Sequence, residues 1–115
     1  MEIREFSKEC FKVAREHGFW VGMSQHPVHL VVGQKLALIT SEVSEALEEM
    51  RSNPFPAYRY YRPEDSKPEG LQYELADAVI RIFDLCEWLG LDIEAAMLEK
   101  NQFNKSRPYL HNKAF

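Results

Sequence analysis

Four carboxylates form two pairs with the same spacing, and these pairs are the part of the sequence best suited to chemistry. Glu42 and Glu45 lie in the segment EVSE, and Glu74 and Asp77 lie in the segment ELAD. In a helix, residues three apart sit on adjacent turns of one face, so each pair presents two oxygen ligands together. Oxygen ligands of this kind suit Mg²⁺ or Mn²⁺. The two pairs therefore predict a divalent metal site, provided that the fold brings them together.

The alternative interpretation is that these carboxylates are solvated. Glutamates three and four residues apart are common on helix surfaces, and either pair alone would most often be wet. Here the stripe of Glu42, Glu45 and Glu49 continues toward the start of the helix into Leu38 and Val31, which favours half-burial. Converging buried carboxylates are costly unless a cation offsets their charge. A di-iron site is excluded, because it needs Glu-x-x-His on two helices and no histidine has a glutamate three residues before it.

Hydrophobic periodicity predicts an all-α fold of four helices, with no strand alternation of useful length. Capping and stop signals give the boundaries of the helices. The first helix extends from Ile3 to a stop at His17-Gly18, and the second from about Val28 to Arg51. The third opens with a capping-box pattern at Ser66-Lys67-Pro68-Glu69 and stops at Gly90, and the fourth has Asp92 as N-cap and ends before Pro108. If the second and third helices pack antiparallel, the four carboxylates converge. We therefore expect a four-helix bundle-type protomer.

The connection between the second and third helices, at about residues 52–69, is longer than most. It is rich in aromatic and arginine side chains, namely Phe55, Tyr58, Arg59, Tyr60, Tyr61 and Arg62. Two interpretations stay open: a flap over the end of the bundle, or a contact for a ligand or another subunit. Residues 1–115 are expected to form a single domain, with a short tail at 108–115.

Length, charge and cysteine usage limit the classes of function. The 115 residues suffice for one core without disulfides, and Cys10 and Cys86 lie in apolar patterns typical of buried thiols in a reducing compartment. A net charge of −4 argues against polymeric nucleic acid as a partner, although a small phosphate ligand stays compatible with it. The charged segment MEIREFSKEC is unlike a secretory signal, and no apolar run approaches the ~18 residues of a membrane span. We expect a cytoplasmic protein that binds no membrane.

One face of the predicted fourth helix offers groups that bind phosphate. Lys100, Asn104 and Arg107 stand at i, i+4 and i+7, and this face continues the line of Ile93 and Met97. Lysine binds phosphate as a point charge and arginine as a bidentate fork. A basic last turn also favours the helix dipole, which is the simpler explanation for this face alone. Beside four carboxylates, phosphate recognition becomes the better interpretation.

Three segments, ITSEVSEALEEMR, EGLQYELADAVIRIFD and LEKNQFNKSRPY, together resemble the MazG-like all-α nucleotide pyrophosphohydrolases. The family motif is Glu-x-x-Glu, a spacer and Glu-x-x-Asp, and here 28 residues separate Glu45 from Glu74. The similarity extends from about Gly18 to Arg107. Either half of the motif is weak alone, whereas both halves with the trailing K…N…RP are more specific.

The resemblance implies hydrolysis of a nucleoside triphosphate between its α and β phosphates, giving a monophosphate and pyrophosphate. Glu42, Glu45, Glu74 and Asp77 would hold Mg²⁺, with Mn²⁺ as a substitute. One glutamate of the first pair, Glu42 or Glu45, would also orient or deprotonate the attacking water. This assignment is chemically consistent, because metal ions neutralise the triphosphate and make water a better nucleophile.

The resemblance also implies roles in substrate binding. Lys100, Asn104 and Arg107 would contact phosphates. Trp20, in the segment HGFW, would stack on the base, or else would serve as an apolar lid. Some family members carry a further glutamate where this chain has Ser41, so the number of metal ions stays open.

The third helix is apolar around more of its circumference than one layer covers, which favours a homo-oligomer. The resemblance agrees, because family members are dimers or tetramers with sites near subunit boundaries, and we expect a homodimer or homotetramer. Arg81 and Asp84, three apart on this helix, are expected to form a surface ion pair beside the site.

Two other functions stay open at this point. The resemblance includes phosphoribosyl-ATP pyrophosphohydrolase, an enzyme of histidine biosynthesis with the same reaction on another substrate. The chain could also be a non-catalytic nucleotide-binding or oligomerising helical module, although the intact set of four acids counts against that. The base, the sugar and the physiological role do not follow from the sequence.

Overall fold

The computed structural model describes residues 2–112 and is mostly helical. Four α-helices follow one another along the chain: α1 (Ile3–Glu16), α2 (Val28–Ser52), α3 (Leu71–Leu89) and α4 (Ile93–Lys105). Short 3₁₀ turns lie at Met23–Gln25 and Tyr109–Asn112, and two short strands, β1 (Tyr60–Tyr61) and β2 (Pro68–Glu69), pair in the long connection. The four predicted helices are confirmed, and no helix in the described part of the chain is long and apolar enough to cross a membrane.

The turn between α3 and α4 has the predicted signals. Gly90 adopts a left-handed conformation with φ of 72°, and the N–H groups of Gly90 and Leu91 donate to carbonyls of the last turn of α3. Asp92 is the N-cap of α4, because its carboxylate accepts a hydrogen bond from the Ala95 N–H at 3.0 Å. Both helix ends are thus set by residues inside the turn itself.

The start of α3 differs from the prediction. The expected capping box at Ser66–Glu69 is wrong, because Pro68 and Glu69 pair as β2 with Tyr61 and Tyr60 of β1 instead. Gly70 follows with φ of 134°, and a Cβ atom there would lie 2.6 Å from a backbone oxygen of the loop. The helix therefore begins only at Leu71, after a glycine that this close approach requires.

Helix α3 lies at the centre of the packing, with α1 and α2 antiparallel to it on two sides. On the α1 side of α3, the Ser7 hydroxyl donates to the Phe83 carbonyl at 3.1 Å. On the α2 side of α3, Val31 near the start of α2 packs with Leu85 and Trp20 in the buried core. Partly buried side chains complete this core: Phe11, Ala14, Met23, Val32, Ile39, Trp88 and Leu89. The arrangement brings the middle of α2 against the first turns of α3.

Helix α4 does not join α2 and α3. Arg4 of α1 forms ion pairs with Asp92 at 3.0 Å and Glu94 at 2.7 Å, and these contacts hold the start of α4 against the start of α1. The single chain therefore does not form the predicted four-helix bundle. Its radius of gyration is 16.8 Å, against about 13 Å for a compact chain of this length.

Candidate functional site between helices α2 and α3

The two predicted carboxylate pairs face each other across the contact between α2 and α3. Glu42, Glu45 and Glu74 each offer a carboxylate oxygen within 4.8 Å of the other two. Asp77 lies one turn after Glu74, and its pKa is raised by burial and then by the negative charge of Glu42. The antiparallel packing of two helices, each with acids three residues apart, thus creates one concentrated negative region.

Two buried glutamates of this region have different neighbours. Glu42 is 8% exposed and accepts a hydrogen bond from Arg81 Nε at 2.9 Å. Glu74 is 5% exposed, and burial together with a hydrogen bond to Glu45 raises its pKa to about 7. The carboxyl group of Glu74 therefore keeps its proton to a higher pH than an ordinary glutamate does, because its ionised form would be buried among other negative charges.

A second set of acids overlaps the first through Glu74. Carboxylate oxygens of Glu49, Glu69 and Glu74 also lie within 4.8 Å of one another. Glu49 accepts a hydrogen bond from the Tyr60 hydroxyl at 3.3 Å, and Lys67 Nζ lies 3.6 Å from Glu69. The sequence prediction missed Glu69, because it assigned this residue to a helix cap. Glu49, one turn after Glu45, was already part of the acidic stripe.

The expected ion pair between Arg81 and Asp84 is not present. Arg81 turns to Glu42 instead, while Asp84 is 9% exposed and accepts a hydrogen bond from the Trp20 indole Nε1 at 2.7 Å. The spacing of three residues suits a surface pair, but both side chains find partners on other segments. Arg81 and Lys67 are therefore the cations nearest the acids, and both lower the pKa of Asp77 against the stronger effect of burial.

Trp20 is part of the buried core. Its ring is 8% exposed and stacks on Trp88 with centroids 4.9 Å apart, while Lys35 Nζ lies 4.3 Å from its centroid. Stacking on a base would require moving one of these neighbours. The alternative role as an apolar lid fits this burial better than the base-stacking role does.

Lys100, Asn104 and Arg107 do not lie at the carboxylates of their own chain. Lys100 Nζ and Arg107 Cζ sit 5.2 Å and 5.7 Å from the centroid of the Phe103 ring. The Oδ1 atom of Asn104 is buried and has no hydrogen-bond partner among the described residues. Because α4 packs against α1, these three side chains share a surface with each other but not with the acids.

A cavity of about 420 Å³ opens between α1 and α3 and reaches the acids. Glu42, Asp77, Arg81 and Lys67 line one part of it, and residues of α1 line another. The sequence prediction did not include α1 in the site, because its apolar residues look like ordinary core. Only the antiparallel contact of α1 with α3 places them beside the carboxylates.

Comparison of the chain with protein-family models, with curated proteins and with solved structures gave no match.

Proposed function

We propose that this protein is a Mg²⁺-dependent nucleotide pyrophosphohydrolase of the MazG-like type, converting a (d)NTP and water into a (d)NMP and pyrophosphate. The observation that carries the proposal is the meeting of Glu42, Glu45 and Glu74, with Asp77 beside them. These residues have the Glu-x-x-Glu and Glu-x-x-Asp spacing of the MazG-like enzymes. Carboxylates grouped in this way can hold a metal ion that assists phosphate hydrolysis.

The donor set fits Mg²⁺, with Mn²⁺ as a substitute. All four side chains offer oxygen, and Glu74 is buried among other carboxylates. Among residues 2–112, no cationic side chain lies within ion-pair distance of Glu45, Glu74 or Asp77. Arg81 neutralises only Glu42. When bound, the ion would neutralise phosphate charge and make water more nucleophilic.

Side chains near the acids would accept the proton of the water and attract the phosphates. Glu45 is the exposed member of the first pair, so a carboxylate oxygen of Glu45 can accept the proton of the attacking water. Glu42 is fixed by Arg81 and therefore has a defined orientation. Lys67 and Arg81 line the cavity beside the acids, where their charge attracts the phosphates.

The proposal includes a homodimer or homotetramer. Apolar side chains on α2 and α3 are about half exposed: Leu36 51%, Val43 52%, Leu47 54%, Leu75 46% and Val79 43%. Exposed apolar side chains in this number, on two neighbouring helices, are typical of a protein interface. Lys100 and Arg107 are separated from the acids of their own chain, so α4 of a neighbouring copy is the source from which they would reach the phosphates. Light scattering during gel filtration measures this state, and a monomer at micromolar concentration would contradict it.

The test of the proposal is pyrophosphate release from a panel of standard and modified (d)NTPs, in Mg²⁺ or in EDTA. We expect metal-dependent release by the wild type and its loss in Glu45→Gln and Asp77→Asn. Glu48→Gln is the matched control, because Glu48 is exposed on the same helix and pairs with Arg51 instead. Failure of every triphosphate with a folded, Mg²⁺-loaded protein would contradict the proposal. Activity on phosphoribosyl-ATP, or nucleotide binding without turnover, would then identify one of the two alternative functions.

A further inference from the structure

The cavity between α1 and α3 has a charged part and an apolar part. The charged part is formed by Glu42, Asp77, Arg81 and Lys67. The apolar part is formed by side chains of α1, of the turn after it and of α3, namely Phe6, Cys10, Val13, Ala14, Phe19 and Ile80. Its volume of about 420 Å³ lies within the range of small-molecule sites. Under the proposed function, a ligand that fills both parts has an apolar group joined to phosphates.

The apolar part contains one charged group on the α1 side. Glu9 lines the cavity at its solvent-exposed rim, and its carboxylate makes no hydrogen bond or ion pair with another described residue. Phe6 and Val13, one turn before and one turn after it, present apolar surface to the same cavity. A carboxylate in such a position accepts hydrogen bonds and repels carbonyl oxygens, so it distinguishes ligands by whether they carry a donor there.

We propose that this cavity binds the base of the nucleotide, and that Glu9 selects bases with an amino group on the edge far from the sugar. Cytosine and adenine carry such a donor, whereas uracil, thymine and hypoxanthine present a carbonyl oxygen. The inference rests on the proposed function, because the acids at the charged end fix where the phosphates lie. Glu9 is a specificity-determining residue and takes no part in bond cleavage.

The first part of the test is binding in the absence of turnover. The dissociation constants of dCMP, dAMP, dUMP and dTMP for the full chain are measured by NMR titration in Mg²⁺, since monophosphates lack the bond that the proposed reaction cleaves. We expect dCMP and dAMP to bind about tenfold more tightly than dUMP and dTMP. In Glu9→Gln this preference falls to about threefold or less, since an amide can also donate. Glu5→Gln, which alters an exposed glutamate of α1 outside the cavity, keeps the preference.

Filling the cavity tests its location independently. Val13→Phe adds volume on the α1 wall, and we expect it to weaken all four monophosphates by about tenfold. Val13 is 46% exposed, so the larger ring does not overpack the core, and circular dichroism checks the fold. Ile80→Phe repeats the test on the α3 wall of the cavity, where Ile80 is 37% exposed. Unchanged binding in both folded variants would overturn the location.

The second part is the ratio of kcat/KM for dCTP to that for dUTP in Mg²⁺. A ratio that favours dCTP and collapses in Glu9→Gln supports the inference. Equal use of the two substrates, or a preference that Glu9→Gln leaves intact, overturns the selection by Glu9 while the proposed hydrolysis stands. Base-selective binding without hydrolysis has the opposite meaning, because it would overturn the proposed function and leave the base site in place.

Discussion

Glu42 and Glu74 are the same side chain at nearly the same burial, on neighbouring helices of one acidic region, but their surroundings differ. Glu42 has the Arg81 guanidinium at 2.9 Å, while Glu74 has carboxylates around it. A buried ion pair is locally compensated, whereas a carboxylate among carboxylates must hold a proton or receive a cation. The charge of Glu42 is therefore compensated within the chain by Arg81. The region around Glu74 is the part that a metal ion would complete under the proposed function.

The first prediction has the largest effect and concerns the rate of hydrolysis after a substitution of Glu74. We expect Glu74→Gln to lower kcat for pyrophosphate release by roughly 10²–10³-fold, since it replaces a buried carboxylate at the centre of the acids by a neutral amide, which would hold a divalent ion less well. Glu48→Gln is the control and should keep the wild-type rate. Initial rates at saturating Mg²⁺ measure this, and a Glu74→Gln enzyme within threefold of wild type would remove Glu74 from the proposed metal site.

The second effect is stabilisation by the metal itself. An ion that binds only the folded chain adds about 2.7 kcal/mol at 100 times its Kd, which raises Tm by roughly 10 °C in a domain of this size. We expect this increase for the wild type and for Glu48→Gln, and its loss in Glu74→Gln. Thermal unfolding at fixed protein concentration, with Mg²⁺ or EDTA, measures it. Equal increases in all three proteins would mean that the ion binds elsewhere.

The third prediction concerns the ion pair between Glu42 and Arg81. Arg81→Met leaves Glu42 buried without its donor, and we expect the free energy of unfolding to fall by about 1–3 kcal/mol. A double-mutant cycle with Glu42→Gln should show coupling, because the two side chains are in contact. The matched cycle of Arg81→Met with Asp84→Asn should show little, since Asp84 bonds Trp20. Stronger coupling to Asp84 than to Glu42 would reverse the assignment of the ion pair.

The smallest effect is a pH dependence of the metal-free protein. The pKa of Glu74 is about 7 in the folded chain, above the ordinary value of 4.5, so the folded state holds a proton that the unfolded state has released. The stabilisation from this proton is fully present below about pH 4.5 and is lost as pH rises through 7. We expect the free energy of unfolding to decrease over this range of pH, and the decrease to be absent in Glu74→Gln. Urea unfolding in EDTA between pH 5 and pH 8 measures it, and an equal slope in both proteins would contradict the assignment.

Features set by a few adjacent residues could be predicted from the sequence. Gly90 and Asp92 end one helix and begin the next through bonds inside their own turn. The facing of the two carboxylate pairs also followed, because spacing of three fixes each pair on one helix face and a single connection joins the helices. The burial of these carboxylates and their hydrogen-bond partners could not be predicted, since both depend on which side chains of other segments pack against them.

Features set by distant segments could not be predicted. The capping-box pattern at Ser66–Glu69 does not begin a helix, because Pro68 and Glu69 pair with β1 instead. Gly70 permits this pairing, because it adopts a φ of 134° that other residues rarely adopt. The direction of α4 is held by Arg4, nearly ninety residues away in sequence, so periodicity within α4 could not reveal which face meets the chain. Arg81 was assigned to its neighbour on the same helix for the same reason, because sequence spacing favours local partners.

The most direct measurement of the central claim is ³¹P NMR of the products formed from a dNTP with Mg²⁺, with an EDTA sample beside it. The account predicts a nucleoside monophosphate and pyrophosphate in equal amounts, formed only with the metal and not by Glu74→Gln. Orthophosphate with a diphosphate would place cleavage at the wrong bond. That result, or an unchanged triphosphate in the folded, metal-loaded protein, would contradict the account.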